Sequence, residues 1–178
     1  NAAGNRCSPS PYSLIAEDSM AAVTGGPQEG DKAPAFTLET DAGEKVKLSD
    51  LKGHKVVVYF YPKDDTPGCT KESIAFTGKL KEFEKSGTTV IGVSKDSCAS
   101  HAKFREKYAL KHTLGADEDG KVVNAYGVWV EKNMYGKKSM GIERATFLID
   151  DKGVVRKVWR KVSVEGHAEE VLQAARAL

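Results

Sequence analysis

The sequence predicts one α/β domain, in which helices cover both faces of a central mixed β-sheet. From about residue 30 onward, apolar runs typical of buried strands alternate with helical patterns, and this alternation favours parallel strand pairs. Near the carboxyl terminus, two strand patterns flank a hairpin turn, which adds antiparallel pairing. The length of 178 residues suits one domain with a buried core.

The first predicted elements lead into the centre of the sheet. Residues 46–48 form a short edge strand, and Leu48–Leu51 forms a turn of helix that is followed by the breaker Gly53. Residues 56–61 are continuously apolar, as expected for a strand that is buried on both faces. Pro62 ends this strand because proline has no amide hydrogen to donate to a neighbouring strand.

A helix is predicted directly after this strand. Thr66 suits the N-cap, and Pro67 suits the first helical position. The helix is expected to extend to about Lys85, because four side chains at helical spacings share one face: Cys69, Phe76, Leu80 and Phe83. Cys69 therefore lies in the first turn, at the buried end of this apolar stripe.

The next elements repeat the order of strand and helix. Thr88–Ser94 is a second buried strand, and Asp96 or Ser97 caps a helix that runs to Tyr108. Residues 117–126 form another short helix. The carboxyl ends of the two buried strands are expected at the same edge of the sheet, where α/β proteins place their active sites.

The chain ends in a hairpin and a helix. Residues 144–149 and 154–159 have strand patterns and are joined by Asp-Asp-Lys-Gly at 150–153, which is a turn sequence. Residues 165–178 form an amphipathic helix.

Composition and charge exclude several classes of protein. Hydrophobic residues make up 40% of the chain, charged residues make up 29%, and the net charge is +2 with both signs interspersed. We therefore expect neither nucleic acid nor an anionic membrane as a partner. No apolar run approaches the ~18 residues of a membrane span. The four histidines are far apart in sequence, so no metal site is expected.

Residues 1–28 differ from the rest of the chain. They contain Ser, Pro, Gly and Ala with little periodicity, so they are predicted to form a flexible arm ahead of one domain over residues 29–178. Because the chain begins with Asn rather than Met, removal of an upstream segment is expected, which leaves an exported or organellar location open. A cytoplasmic location is favoured, since reactive thiols without structural disulfides suit a reducing compartment.

One cysteine is placed to react. The three cysteines, Cys7, Cys69 and Cys98, include no CxxC pair, and their odd number favours reactive thiols over a disulfide scaffold. In the first turn of a helix, free backbone N–H groups and the positive end of the helix dipole favour a thiolate over a thiol. Cys69 is therefore the candidate nucleophile.

The residues around Cys69 resemble the active-site loop of the peroxiredoxins. Pro62, Thr66 and Cys69 have the spacing of that loop, and the string Thr-Pro-Gly-Cys-Thr-Lys-Glu after Tyr-Phe-Tyr-Pro is similar to the bacterioferritin-comigratory, or Q-type, branch. The resemblance covers roughly residues 29–178. It implies a thioredoxin-like fold with an extra N-terminal hairpin, and a thiol peroxidase that uses no cofactor.

The resemblance also implies roles for residues near the sulfur. Cys69 attacks hydrogen peroxide or a small organic hydroperoxide and becomes a sulfenic acid. The Thr66 hydroxyl, three residues earlier, can face the sulfur and the peroxide, and Pro62 packs over the sulfur. Arg144, at the start of a late strand, supplies a fixed cation, although an exposed strand-end charge is the alternative. Glu72, one turn after Cys69, either pairs with Arg144 or is a solvated helix residue.

A second cysteine that would resolve the sulfenic acid as a disulfide is missing from its usual positions. In this branch it lies five residues after the first, here Ile74, or on the following helix, near Arg105. Cys98, at the carboxyl edge of the neighbouring strand, is one remaining candidate, or else a small residue without a redox role. Cys7, on the arm, is the other. If neither reacts, an external thiol reduces Cys69.

The expected reductant depends on whether the catalytic cycle uses one cysteine or two. A disulfide implies thioredoxin, whereas a one-cysteine cycle implies glutathione with glutaredoxin. We expect a monomer or weak dimer with a role in antioxidant defence. Two other interpretations stay open. A thiol–disulfide oxidoreductase is disfavoured because Thr66 stands where that chemistry needs a second sulfur. A redox sensor would be oxidised once without turnover.

Overall fold

The computed structural model describes residues 26–134 and 136–178 of the chain. Residues 1–25 lie outside the described residues, so the arm and the position of Cys7 stay predictions. Pro27, at the end of the predicted arm, is buried, and Gly26 lies against the backbone of Tyr126. None of the helices in the described part is long and apolar enough to cross a bilayer.

Nine strands and five α-helices make up the described part of the chain. The strands are β1 (Thr37–Thr40), β2 (Lys45–Lys47), β3 (Lys55–Phe60), β4 (Thr88–Ser94), β5 (Thr113–Ala116), β6 (Trp129–Met134), β7 (Lys137–Ile142), β8 (Ala145–Ile149) and β9 (Val155–Trp159). The helices are α1 (Pro67–Gly78), α2 (Leu80–Lys85), α3 (Cys98–Tyr108), α4 (Lys121–Ala125) and α5 (His167–Arg176), with a 3₁₀ turn at Leu48–Leu51.

Seven of the strands form one mixed sheet, in the order β2-β1-β5-β4-β3-β8-β9. The three central strands β5, β4 and β3 run parallel, and all other neighbours are antiparallel. The predicted mixed sheet and the hairpin near the amino-terminal end, β1–β2, are both confirmed. Strands β6 and β7 pair only with each other and form a separate hairpin.

Strand β3 lies at the centre and is buried on both faces, as its continuous apolar run predicts. Val57 and Tyr59 point to a core that also contains apolar residues of α1, α2, α3 and α5. Val58 and Phe60 point to the opposite core, which α4 and the 3₁₀ turn cover. Because side chains alternate along a strand, one short segment organises both cores.

The predicted helix over residues 67–85 is wrong, because two helices occupy this segment. The break falls at Lys79, which has φ −108° and ψ 8° and donates to the Phe76 carbonyl oxygen. Gly78 precedes the break, and glycine is a weak helix former. Phe76 and Phe83 still reach the same core, with ring centroids 5.9 Å apart. The spacing of apolar residues in the sequence therefore fits two short helices as well as one long helix.

Other predicted boundaries also need correction. The helix expected at 117–126 comprises only Lys121–Ala125, because Asp117 instead accepts a hydrogen bond from the Val123 N–H at 2.8 Å. The last helix begins at His167, after Gly166 in the left-handed region. Of the two candidate caps for α3, Ser97 is the one that accepts from the Ser100 N–H.

Three strands were not predicted at all. Strand β5 has a single large apolar residue, Leu114, within four residues. Strands β6 and β7 are rich in charged and polar residues, so they lack the alternation that marks a half-buried strand. Strand β5 joins the sheet through parallel pairing with β4, a tertiary contact that no local pattern encodes.

A buried hydrogen-bond network fixes α1 on the sheet. The Tyr59 hydroxyl lies 2.9 Å from Ser73 Oγ on α1 and 2.6 Å from His112 Nε2. His112 Nδ1 lies 2.8 Å from Thr77 Oγ1, also on α1. Burial lowers the pKa of His112 to about 3, so the ring is neutral and one nitrogen donates while the other accepts. Gly92 on β4 leaves room for the Tyr59 ring, which a Cβ would meet at 2.7 Å.

Tyr59→Phe tests this network. The variant leaves Ser73 Oγ and His112 Nε2 without their shared partner in a dry core, so we expect the free energy of unfolding to fall by about 1–3 kcal/mol. Urea denaturation measures the change. Tyr108→Phe is the matched control, because its hydroxyl makes an exposed bond to Asp65 that water can replace. Equal stability of the Tyr59→Phe variant and the unmodified chain would contradict the anchoring role.

Candidate active site

Cys69 lies in the first turn of α1, directly after the loop that leaves β3. Pro67 occupies the first helical position, and Thr66 has the extended backbone of an N-cap, with φ −94° and ψ 154°. No acceptor for the Cys69 backbone N–H is found among the described residues, as is usual in a first turn. The side chain of Cys69 is fully buried in the core below α1.

The Thr66 side chain does not form the predicted capping bond. Its hydroxyl donates to the Lys63 carbonyl oxygen at 2.9 Å. The hydrogen of the hydroxyl is therefore engaged, and the lone pairs of the oxygen are left to accept. Pro62 is partly buried in the same loop, just after Tyr61.

Arg144 supplies the cation of the site. Its Nη2 donates to Cys69 Sγ at 3.4 Å, and its Nη1 donates to Glu72 Oε1 at 2.8 Å. The planar guanidinium thus bridges the sulfur and a carboxylate, a geometry that a lysine cannot reproduce. Gly68 makes this approach possible, because a Cβ at that position would lie 3.0 Å from Arg144 Nη2.

The backbone around Arg144 is held from three sides. Ala145, the next residue, pairs with Phe60 at the end of β3, which brings Arg144 opposite the loop that carries Cys69. The Arg144 carbonyl oxygen accepts from the Val162 N–H at 3.0 Å. The preceding residue, Glu143, receives Arg160 Nε on its carboxylate at 2.9 Å. The side chain of Arg144 therefore starts from a fixed position.

Glu72 is the most unusual titratable group of the site. Its side chain is 1% exposed, and its Oε2 has no hydrogen-bond partner among the described residues. Burial raises the pKa of Glu72 to about 7, although the positive charge of Arg144 favours the ionised form. Near neutral pH, the carboxyl group therefore exists in both protonation states.

Lys132 is a second cation near the sulfur that the sequence did not indicate. It lies on β6, and its aliphatic chain passes over Gly141 on β7, where a Cβ would meet it at 3.2 Å. Partial burial lowers the pKa of Lys132, and the charge of Arg144 lowers it further, whereas the charge of Cys69 acts in the opposite direction. The hairpin β6–β7 thus carries positive charge toward the site.

Cys98 and Cys69 are both free thiols, and the structure does not bring them together. Cys98 starts α3 and borders a cavity of about 290 Å³ beside the β1–β2 hairpin, with Glu39 and Asp41 in its wall. Burial raises the pKa of the Cys98 thiol, and the negative charges of Glu39 and Glu118 add to the shift. These groups belong to the β1 and β5 side of the sheet, whereas Arg144 is at the β8 side.

The two positions that the family resemblance gives for a second cysteine hold other residues. Ile74 is exposed on α1. Arg105 on α3 has a structural role: its guanidinium binds the Asp41 carboxylate through Nε and Nη2 and donates to the carbonyl oxygens of Leu110 and His112 at 2.7 and 2.8 Å. Among the described residues, no group of three His, Cys, Asp or Glu side chains could hold a metal ion.

Comparison with known proteins identifies the family of the chain. The AhpC/TSA family matches residues 29–158. The putative peroxiredoxin bcp of Coxiella burnetii is 56% identical over 143 residues, which are 80% of this chain and 95% of that protein. Peroxiredoxin Bcp of Bacillus subtilis is 50% identical over 144 residues, which are 81% of this chain and 92% of that protein.

Solved structures of similar proteins have the same fold as this chain. The bacterioferritin comigratory protein of Xanthomonas campestris, for which trapped intermediate and ligand complexes address alkyl peroxide reduction, is similar with a TM-score of 0.77 and 46% identity, over 80% of this chain and 90% of that chain. Serine variants of Xanthomonas campestris Peroxiredoxin Q, which is also 46% identical with a TM-score of 0.77, replace two cysteines that are as far apart in sequence as Cys69 and Arg105 are here. The thioredoxin-like fold is confirmed. The chain belongs to the AhpC/TSA family and is a peroxiredoxin of the Bcp or Q type, an oxidoreductase that acts on peroxides.

Proposed function

We propose that this chain reduces hydrogen peroxide and small alkyl hydroperoxides through Cys69. The observation that carries the proposal is the contact between Arg144 Nη2 and Cys69 Sγ at the start of α1. A fixed guanidinium and a helix N-terminus both favour a thiolate, which is the nucleophilic form of cysteine. The alkyl peroxide reduction studied in the Xanthomonas campestris relative supports the choice of substrate.

The first step is a two-electron oxidation of sulfur. The Cys69 thiolate attacks the terminal oxygen of ROOH, a sulfur–oxygen bond forms, and the oxygen–oxygen bond breaks. The sulfenic acid keeps the attacked oxygen. The departing RO⁻ takes a proton and leaves as an alcohol, or as water when R is hydrogen.

The hydrogen-bond donors and acceptors around the sulfur suit the movement of charge in this step. As negative charge moves from sulfur to the leaving oxygen, the Arg144 guanidinium and the free Cys69 N–H are the donors at hand. Thr66 presents lone pairs, because its hydrogen goes to the Lys63 carbonyl oxygen. Its role is therefore to accept the hydrogen of the peroxide and orient it, and Pro62 restricts the size of the oxidant.

Glu72 keeps Arg144 in place. Its Oε1 fixes one end of the guanidinium at 2.8 Å, so the other end stays directed at the sulfur. A carboxyl group with a pKa near 7 adds little repulsion to the neighbouring thiolate when it is protonated. Lys132 adds positive charge at the same side.

We propose a one-cysteine cycle. The Cys98 thiol is disfavoured as a nucleophile because burial and acidic neighbours raise its pKa. Arg105 stands at the distance in sequence from Cys69 that separates the two cysteines replaced in Xanthomonas campestris Peroxiredoxin Q. An external thiol then attacks the sulfenic acid, forms a mixed disulfide and releases water. A second thiol restores Cys69. Glutathione with glutaredoxin is the preferred reductant, and thioredoxin is the alternative if a disulfide forms.

The cellular location and the oligomeric state that we propose follow from the reactive thiols and from the position of the site within one chain. Reactive thiols suit the reducing cytoplasm, where the protein acts in peroxide detoxification. We propose a monomer or weak dimer, since the peroxide site lies within one chain and is assembled from α1 and the segment before β8.

Cys69→Ser tests the central role of Cys69. We expect complete loss of thiol-dependent peroxide consumption with an unchanged circular dichroism spectrum, because serine is not ionised at neutral pH. Cys98→Ser is the matched control and keeps its turnover in a one-cysteine cycle. Turnover by the Cys69→Ser variant would refute the proposal, and loss of turnover by the control alone would move the chemistry to Cys98.

Arg144→Ala tests the cation. Loss of one preorganised donor is expected to slow Cys69 oxidation by about 10²–10³-fold. Because the guanidinium favours the thiolate, the pH profile of Cys69 alkylation by iodoacetamide moves to higher pH in the variant. Arg156→Ala, which removes an exposed arginine paired with Asp150, serves as control. An unchanged pH profile would show that Arg144 does not act on the sulfur.

Glu72→Gln tests the buried carboxyl. In the folded state its pKa of about 7 lies above the ordinary 4.5. Between pH 4.5 and pH 7, Glu72 is ionised in the unfolded chain but protonated in the folded chain. The free energy of unfolding therefore falls as the pH rises through this range, and the fall is complete above pH 7. Glutamine does not ionise, so the variant gains relative stability by about 2.5 kcal/mol between pH 5 and pH 8. Urea denaturation at both pH values measures this gain, with the exposed Glu84→Gln as control. A stability difference between the Glu72→Gln variant and the unmodified chain that does not change with pH would contradict the raised pKa of Glu72.

A further inference from the structure

Lys132 extends across the β6–β7 hairpin toward the segment that leads into Arg144. Its cross-strand partner on β7 is Ser139. The end of its side chain passes over Gly141, where a Cβ would lie 3.2 Å from Lys132 Cδ and 3.6 Å from its Nζ. Because Gly141 has no side chain, the lysine has room to lie along β7, and the chain after Gly141 continues directly into Arg144. The ammonium group is therefore carried toward the guanidinium that contacts Cys69.

The ammonium group of Lys132 is available to bind an anion. Among the described residues, no carboxylate forms an ion pair with it. Glu143, whose negative charge acts on Lys132, is already bound by Arg160 Nε at 2.9 Å. Glu72, the other acid of the site, is bound to Arg144. The side chain of Lys132 is exposed, so an anion in solution can reach it.

The peroxide step changes the charge that Lys132 faces. In the reduced protein, the negative charge of the Cys69 thiolate acts on Lys132 and favours its protonated form. When the thiolate becomes a sulfenic acid, that negative charge leaves with RO⁻. Lys132 and Arg144 then face a single carboxyl group, Glu72, and burial raises its pKa to about 7. The oxidised site is therefore net positive, and a reducing thiol with a negatively charged group complements it.

We propose that Lys132 binds the carboxylate of the thiol that reduces Cys69, and so selects carboxylate-bearing thiols over neutral ones. The role in turnover rests on the proposed function. The thiolate of the bound reductant attacks the Cys69 sulfur, a disulfide bond forms, and the sulfur–oxygen bond breaks. The departing hydroxide takes a proton and leaves as water. Glutathione carries carboxylates and belongs to this class of thiol.

Alkylation of reduced Cys69 tests the anion site without peroxide. Iodoacetate carries a carboxylate, and iodoacetamide is a neutral reagent of nearly the same size that reacts with the same thiolate. The burial and the pKa of Cys69 therefore affect both rates alike, and the ratio of the iodoacetate rate to the iodoacetamide rate reports the charge near the sulfur. Peptide mapping separates modification of Cys69 from modification of Cys98.

Lys132→Gln removes the charge with little change of shape, and Lys138→Gln is the matched control. Lys138 is next to Ser139, the cross-strand partner of Lys132, so it points to the other face of the hairpin. We expect Lys132→Gln to lower the rate ratio by about three- to fivefold, the effect of an exposed ion pair. The control is expected to lower it by less than about 1.5-fold. In about 1 M potassium chloride, the effect of Lys132→Gln is expected to disappear.

Reduction of the Cys69 sulfenic acid tests the choice of thiol. 3-Mercaptopropionate carries a carboxylate where 3-mercaptopropionamide carries a neutral amide, and their rates are compared at equal thiolate concentration. We expect the unmodified chain to react faster with the carboxylate form and Lys132→Gln to lose this preference. Lys132→Arg is expected to keep it, because arginine retains the cation. A merely structural role of Lys132 would change both rates by the same factor.

Three outcomes decide the proposal. An alkylation rate ratio that is equal in Lys132→Gln and the unmodified chain overturns it. An equal fall of the ratio in Lys132→Gln and Lys138→Gln also overturns it, because the effect then comes from the net charge of the protein. If the unmodified chain does not consume peroxide, the proposed function fails, and the alkylation rate ratio, which needs no peroxide, still decides the anion site.

Discussion

The hydrogen bond from Arg144 Nη2 to Cys69 Sγ, 3.4 Å long, is the contact around which the site is built. A thiolate loses its hydration when it is buried, so it needs a fixed cation and backbone donors in place of water. Helix α1 supplies the donors of its first turn, and the segment before β8 supplies the cation. The antiparallel pairing of β8 with β3 brings these two parts together, since Ala145 is the partner of Phe60.

Several residues serve that contact without touching the sulfur. Glu72 holds the far end of the guanidinium, and Gly68 leaves the space that the near end occupies. The Arg160–Glu143 ion pair fixes the backbone just before Arg144. The Tyr59–His112 network ties α1 to the sheet from below. These contacts fix the site from the side of the sheet.

The sequence predicted the elements whose signals are local. Strand β3 was predicted because a run of buried apolar residues needs no partner to be recognised, and the first turn of α1 was predicted from Thr66 and Pro67. These two elements predicted Cys69 as the nucleophile. Arg144 was predicted as its cation from the family resemblance rather than from any local pattern. The structure places Arg144 beside the sulfur and Glu72 at the other end of its guanidinium.

What escaped prediction depends on tertiary contacts. Strand β5 is defined by its neighbour β4, and Lys132 is brought near the site by a hairpin with no apolar alternation. Phe76 and Phe83 fit one helix as well as two, so the break at Lys79 was not visible. Asp64 Oδ2 lies 2.8 Å from His101 Nδ1 although these residues are 37 apart in the chain, and nothing in either local sequence indicates this contact.

The most direct test of the account is the mass of the protein after one equivalent of hydrogen peroxide is added to the fully reduced chain without air. Peptide mapping with a sulfenic-acid trap then locates the modification. The account predicts one added oxygen on Cys69 and free thiols at Cys98 and Cys7. An unmodified Cys69 beside consumed peroxide would contradict the central claim, and a disulfide between Cys69 and another cysteine would contradict the one-cysteine cycle.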